Sequence, residues 1–157
     1  MIKINLVVVG KVKEKYFTDA INEYSKRLSR FCKLNIIEVK EENFNDIPTN
    51  SQIELIKQKE GENIIKKLEG KVFLTYIKGK KYTSESFSKE LQKYIDKGEN
   101  LTFVIGGSYG VNQQVVDNAN ELISFSDMTF PHTMFRVMLL EQIYRAFKIL
   151  ENSRYHK

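Results

Sequence analysis

Cysteine, proline and histidine are scarce in this chain of 157 residues, which holds one, two and two of them. A single cysteine, Cys32, closes no internal disulfide and furnishes no thiolate metal cluster, so no metal is expected and a reducing, cytoplasmic location is. No histidine lies near Cys32 in sequence, and a packing thiol at a helix end is its expected role. Two prolines and no low-complexity run argue against disorder. No apolar run approaches the roughly 20 residues of a membrane span. Met1-Ile2-Lys3 leads directly into a strand-like run, so no secretory leader is expected.

What is present suffices for one compact domain over residues 1–157, with 41% hydrophobic residues for its core. The net charge of +5 permits an anionic partner without requiring one. Phosphate contacts need local clusters. Lys11-Val12-Lys13-Glu14-Lys15, Lys78-Gly79-Lys80-Lys81 and the terminal residues 154–157 are such clusters. Each alone reads as a solvated loop; together, beside strand ends, they make a candidate RNA face.

Residues 4–9 form an apolar, β-branched run ending at Gly10, the pattern of a buried parallel strand. Tyr16, Phe17, Ala20, Ile21, Tyr24 and Leu28 recur at helical spacing. Residues 34–39 predict the next strand, 41–50 a flexible loop, and Ile53, Ile56, Ile64, Ile65 and Leu68 an amphipathic helix. A strand over 72–77 closes at Lys78-Gly79-Lys80. Thr83 or Ser84 caps a helix whose stripe is Phe87, Leu91, Tyr94 and Ile95. A strand over 101–105, a short helix over 113–119, a small strand over 122–125 and a long, mostly apolar helix complete the chain. This alternation predicts an α/β fold, a mostly parallel sheet sandwiched by helices. The last helix is apolar on most of its circumference and must be buried in the core, in a partner subunit or in both.

Gly106-Gly107-Ser108-Tyr109-Gly110 follows a strand, as phosphate and cofactor turns do, but matches neither a Walker A loop nor G-x-G-x-x-G. A tight turn and a ligand site are equally served by it. Ligands in open α/β sheets bind beyond the carboxyl ends of strands, where Thr75, Gly106 and Phe125 fall. Pro131 suits the first turn of the last helix, which leaves residues 126–130 as a loop at a helix N-terminus with free amides. His132 is a packing residue or a proton acceptor. Arg136, isolated in an apolar stripe, needs an acid, a carbonyl cluster, a phosphate or solvent; an intersubunit ion pair and an anion or cofactor contact are both open. Glu141 and Arg145 form a structural pair. The tail Tyr155-His156-Lys157 either frays or serves a site.

Ile105-Gly106-Gly107-Ser108-Tyr109-Gly110, Phe125-Ser126-Asp127-Met128-Thr129-Phe130-Pro131-His132, Arg136-Val137, Glu141-Gln142-Ile143-Tyr144-Arg145-Ala146 and Tyr155-His156-Lys157 closely resemble the ribosomal large subunit methyltransferase H family, which are SPOUT-class enzymes. The resemblance runs end to end and includes Val7-Val8-Val9-Gly10-Lys11. It implies an α/β domain with a C-terminal trefoil knot, a homodimer, and methyl transfer from S-adenosyl-L-methionine to N3 of a pseudouridine in 23S rRNA of the assembled ribosome. It further implies that Thr75, Gly106, Phe125, Ser126, Asp127, Met128, Thr129 and Phe130 hold the cofactor, Thr75 standing where the family often has leucine. His132, Arg136, Tyr155 and His156 match its histidine, arginine and terminal tyrosine-histidine. The tail of one subunit is expected to complete the pocket of the other. The rival expectations are a non-catalytic ribosome- or RNA-binding factor and an α/β enzyme for another nucleotide.

Overall fold

Short β-branched runs alternating with amphipathic ones have one economical arrangement, a parallel sheet with helices on both faces. The computed structural model describes residues 1–152 and Tyr155. Its elements are β1 (Lys3–Val9), α1 (Lys15–Leu28), β2 (Lys33–Val39), α2 (Asn50–Ile65), β3 (Lys71–Lys81), α3 (Ser84–Ile95), β4 (Leu101–Ile105), α4 (Gln113–Asn118), β5 (Glu121–Ser124) and α5 (His132–Leu150). The strands pair in parallel in the order β2-β1-β4-β3-β5. The order of elements is the one the sequence predicts.

The two-residue period of a strand divides the core. Ile4, Leu6, Val8, Phe73 and Phe103 pack on one face with Leu28 of α1, Phe87 and Leu91 of α3, and Leu139, Leu140 and Ile143 of α5. Val7, Val9, Val72, Leu74 and Val104 pack on the other with Ile64 of α2 and Val115 of α4. Thr49 and Thr83 cap α2 and α3 with full capping boxes, closed by Gln52 and Ser86. The buried face of α5 lies along α1 and α3, with Phe147 stacked on Phe31 at 5.2 Å. Met134, Val137, Met138 and Tyr144 of α5 remain partly exposed.

Tyr16 lies in α1 as its spacing predicts, exposed in the first turn with its ring edge-on to Phe17 at 4.6 Å. Three expectations are corrected. Leu68 lies past the end of α2, though it still packs on the core. Pro131 caps α5 from outside, in extended conformation. The largest difference is that β3 does not close at Lys78-Gly79-Lys80 but runs on to Lys81.

The reason is non-local pairing. Ile123 of β5 pairs with both Thr75 and Lys80. The register therefore shifts between Thr75 and Lys80, and the intervening residues leave the ladder and rejoin it against β5. Gly79 is the crossing point. A Cβ there would stand 2.6 Å from the carbonyl carbon of Leu122 and 2.7 Å from the nitrogen of Ile123. Both are backbone atoms and cannot swing aside. Gly79→Ala is expected to lower stability by about 1–3 kcal/mol through overpacking. Urea unfolding checks this, and an unchanged midpoint would show that the crossing is loose.

Candidate functional site

The carboxyl ends of parallel strands point to one edge of the sheet, and the segments leaving β3, β4 and β5 meet there. They enclose a cleft of about 290 Å³. Thr75, Tyr76 and Ile77 form one wall, Gly106, Gly107, Gly110 and Val111 the second, and the 125–130 loop with His132 and Phe135 the third. The glycine turn is closed by the Gly110 amide donating to Gly107 O at 3.0 Å.

The 125–130 loop is shaped by serine and pinned by rings. Ser124 Oγ donates to Ser126 O at 3.0 Å, and Ser126 Oγ accepts the Met128 amide at 3.1 Å. Phe125 and Phe130 lie 4.8 and 6.3 Å from the ring of Phe135 on the first turn of α5. No hydrogen bond among the described residues engages the amides of Thr129 and Phe130. The loop therefore offers main-chain donors beside aromatic surface, the means of recognising a flat, polar-edged ring. Ile77 and Met128 add exposed apolar surface at the cleft.

The sequence-predicted site residues separate into groups. Thr75, Gly106, Phe125, Ser126, Met128, Thr129, Phe130 and His132 come together on the cleft. The Thr75 hydroxyl is committed elsewhere, donating to Val104 O at 3.0 Å, so its backbone is what remains for a ligand. Asp127 is turned away, with its carboxylate 2.6 Å from Lys81. Tyr155 folds back on α5: its hydroxyl donates to Glu141 at 3.1 Å, and its ring meets Tyr144 edge-on at 4.9 Å. Burial, then the Glu141 carboxylate, pushes the Tyr155 hydroxyl up to about 12. The pair Glu141–Arg145 forms at 2.6 Å, as the spacing predicts. His156, Arg154 and the rest of the 154–157 cluster, Tyr155 apart, lie outside the described residues.

Arg136 finds the carbonyl cluster and the acid that its place in an apolar stripe calls for. It is 1% exposed. Its Nη2 donates to Val9 O at 2.7 Å and Gly10 O at 3.0 Å, and Nη1 reaches Glu38 at 3.5 Å. An intrachain carbonyl cluster and acid hold its two terminal nitrogens, while Nε is buried without a hydrogen-bond partner among the described residues. Burial, opposed by Glu38, lowers its pKa. His132, one turn earlier, is half-buried with Nδ1 unpartnered among the described residues. Burial first, then the Arg136 cation, lowers its pKa, which makes the imidazole a neutral acceptor near pH 7.

Sequence reasoning missed Tyr76, Ile77 and Phe135 in the cleft. The signal was present for Tyr76 and Ile77, which follow Thr75 at a strand end. A second cavity of about 430 Å³ lies across Phe125, between α3 and α5. Although larger, it is the poorer candidate, because its polar groups already have partners. Ser84 donates to Gln142 at 2.8 Å, and Glu141 holds Arg145.

A model of the family described as predicted SPOUT methyltransferase matches residues 2–156. Ribosomal RNA large subunit methyltransferase H 1 of Clostridium perfringens (strain SM101 / Type A) is 50% identical over 157 residues, covering 98% of this chain and 99% of that protein. Ribosomal RNA large subunit methyltransferase H of Clostridium botulinum (strain Hall / ATCC 3502 / NCTC 13319 / Type A) is 51% identical with the same coverage. Among solved structures, a probable methylase family protein from Haemophilus influenzae Rd KW20 has a TM-score of 0.54 at 12% identity, covering 99% of this chain and 70% of its own. A putative methylase family protein from Neisseria gonorrhoeae has a TM-score of 0.51, also at 12% identity, over 91% of this chain and 81% of that one. These two share the fold.

Arg136→Met strips donors from two carbonyls at the end of β1 and is expected to cost roughly 2–4 kcal/mol. Arg136→Lys restores less than half of the loss, because an ammonium lacks the planar fork. Chemical denaturation reads both, and a Met variant as stable as the parent would refute the role. For His132 the folded pKa lies below the ordinary 6.5. The unfolded chain therefore takes up this proton more readily, and stability falls as pH drops through 6.5 toward the lowered folded value. His132→Asn lacks that component. Its melting temperature is expected to decline less between neutral and acidic pH, and parallel curves would reject the assignment.

Proposed function

The chain belongs to the SPOUT methyltransferase family and, within it, to the ribosomal RNA large subunit methyltransferase H family, and on that premise we propose that it methylates N3 of a pseudouridine in 23S rRNA with S-adenosyl-L-methionine as methyl donor. The observation that carries this reading is the convergence of three strand-end segments on one cleft. At about 290 Å³ it suits a nucleoside-sized group. Its free loop amides, aromatic rings and close-approach glycine turn fit the adenosine part of that donor. Gly106, Phe125, Ser126, Met128, Thr129, Phe130 and the backbone of Thr75 would hold it, with Asp127 contributing main chain only.

When bound, S-adenosyl-L-methionine supplies a methyl group on a sulfonium that is already electrophilic. The protein's task is then alignment and proton removal. N3 of the base carries an imide proton that must leave. His132 lines the cleft, and as a neutral imidazole it can accept that proton; His156 of the tail is the second candidate. Arg136 enters as a positioning residue, fixing the first turn of α5 and thereby His132. Tyr155, tied to Glu141, anchors the tail on α5.

We place the reaction in the cytoplasm on the assembled ribosome, carried out by a homodimer of one SPOUT domain spanning residues 1–157. Support for the dimer comes from Met134, Val137 and Met138, apolar residues that α5 leaves partly exposed. Support for a trefoil knot comes from the double pairing of Ile123 and the crossing at Gly79. Among the described residues no helix is long and apolar enough to cross a membrane.

Calorimetry with S-adenosyl-L-methionine, ATP and NAD, followed by methylation of ribosomes from a strain lacking the enzyme and mass mapping of the RNA, tests the reading. Only the first ligand should bind, and one pseudouridine should gain one methyl group. Removing the true general base by alanine substitution at His132 or His156 should slow turnover by about 10²–10⁴-fold. Ribosome binding without any binding of S-adenosyl-L-methionine would make the chain a non-catalytic factor.

A further inference from the structure

Glu60 is a buried acid that the proposed reaction does not use. It lies on the face of α2 that also buries Ile56 and Ile64, and it is 3% exposed. An acid so far from water requires partners. Oε2 has one, the amide of Glu42 at 3.0 Å, in the segment that leaves β2. Oε1 is buried with no hydrogen-bond partner among the described residues. It faces the glycine turn: a Cβ on Gly107 would stand 2.8 Å from Oε1 and 3.2 Å from Val9 Cγ1. A side chain at Gly107 would displace the carboxyl, which occupies the space where it would begin.

We infer that Glu60 is a positioning residue of the cleft, its carboxyl bracing the Gly106-Gly107 turn from beneath and tying that turn to the segment carrying Glu41 and Glu42. It does not line the cleft itself. The inference rests on the reading of that cleft as the site of S-adenosyl-L-methionine, whose pocket floor the turn supplies.

The brace works with the carboxyl protonated. The charged groups facing it are Glu41 and Glu42 from the segment after β2; β1 presents Val9 and the turn presents Gly107, both uncharged. On the far side of Glu41, its charge also reaches His132 and Arg136 of α5. Burial is the largest influence. The Glu42 amide opposes it, the Glu41 and Glu42 carboxylates reinforce it, and the pKa of Glu60 rises to about 7. A carboxyl raised in the folded state favours the fold while protonated. Its contribution declines as pH rises from the ordinary 4.5 and is lost through about 7. Ionisation would set a third negative charge among Glu41, Glu42 and the turn, and push them apart.

Glu60→Gln keeps the shape and the acceptor for the Glu42 amide but cannot ionise. Amide spectra of the ligand-free full chain, recorded from about pH 6 to 8.5, should show the Gly106 and Gly107 resonances moving with a midpoint near 7 in the parent. They should stay still in Glu60→Gln. Calorimetry over the same range should show the parent losing roughly threefold or more in affinity for S-adenosyl-L-methionine while Glu60→Gln holds its value. Static resonances in the parent, or identical pH dependence in both proteins, would overturn the brace. A parent that binds no S-adenosyl-L-methionine at any pH would instead overturn the reading of the cleft, and the spectra would still decide on Glu60.

Discussion

One steric fact organises the functional end of this molecule: the chain after Thr75 runs against β5 at backbone contact distance. Gly79 permits that approach, and Ile123 is thereby paired with both Thr75 and Lys80. Without it, β3 would end in a solvent loop, and β5, an edge strand only four residues long, would lose its pairing with Lys80 and Lys81. With it, Tyr76 and Ile77 are held over the 125–130 loop, and the wall they form belongs to the sheet rather than to a mobile excursion. Precision at a binding site comes from such attachment to rigid elements. Here the loop gains it twice, from the β3 crossing on one side and from Phe135 on the other.

Beneath the cleft lies a second layer, which is electrostatic. Arg136 closes the carbonyl end of β1, and the same cation depresses His132. Glu41 raises the pKa of His132, Arg136 and Glu60, so the three groups sense one carboxylate. The protonation states around the proposed site are accordingly a property of β1, α2, α5 and the segment after β2 acting together. Coupling of that kind explains why a neutral histidine and a fully buried arginine sit one turn apart on the same helix without mutual exclusion. The arginine's charge is stabilised by carbonyls and Glu38, and burial together with that charge keeps the histidine neutral.

Local pattern was enough for the element order, the two-faced core and the Thr83 cap, because strand alternation, helical stripes and capping are short-range signals. It also placed Thr75, Gly106 and residues 125–130 near strand ends, where the cleft is found. It failed where the deciding contact is remote in sequence. Lys78-Gly79-Lys80 has the composition of a turn, and only pairing with β5 makes it strand. Arg136 has no partner visible within its own helix; its acceptors, Val9 and Gly10, are more than a hundred residues away. Glu60 sits in a run of charged residues, Lys57 to Glu62 in all but Gln58 and Gly61, that reads as a solvated face. Nothing local says that one member points inward. Asp127 shows the converse: its neighbours line the cleft, yet a cross-strand lysine draws its side chain outward.

Charge gives the last step. The basic clusters that suggested an RNA face are partly neutralised by the fold. Lys15 pairs with Asp19, Lys81 with Asp127, and Lys80 lies over the ring of Tyr82 at 4.8 Å. Affinity for a phosphate backbone scales with the number of charges free to displace counterions. A chain of net charge +5 that spends cations on its own carboxylates and rings holds bare RNA weakly. Under the proposed function, discrimination must therefore arise from fit rather than from field. Ile77 and Met128, exposed and uncharged at the cleft, are suited to a surface whose shape is already set. An assembled ribosome presents its nucleotides in fixed positions, and free RNA does not. Under the proposed function, the modest charge and the apolar surface at the cleft are both compatible with a substrate whose shape is already set.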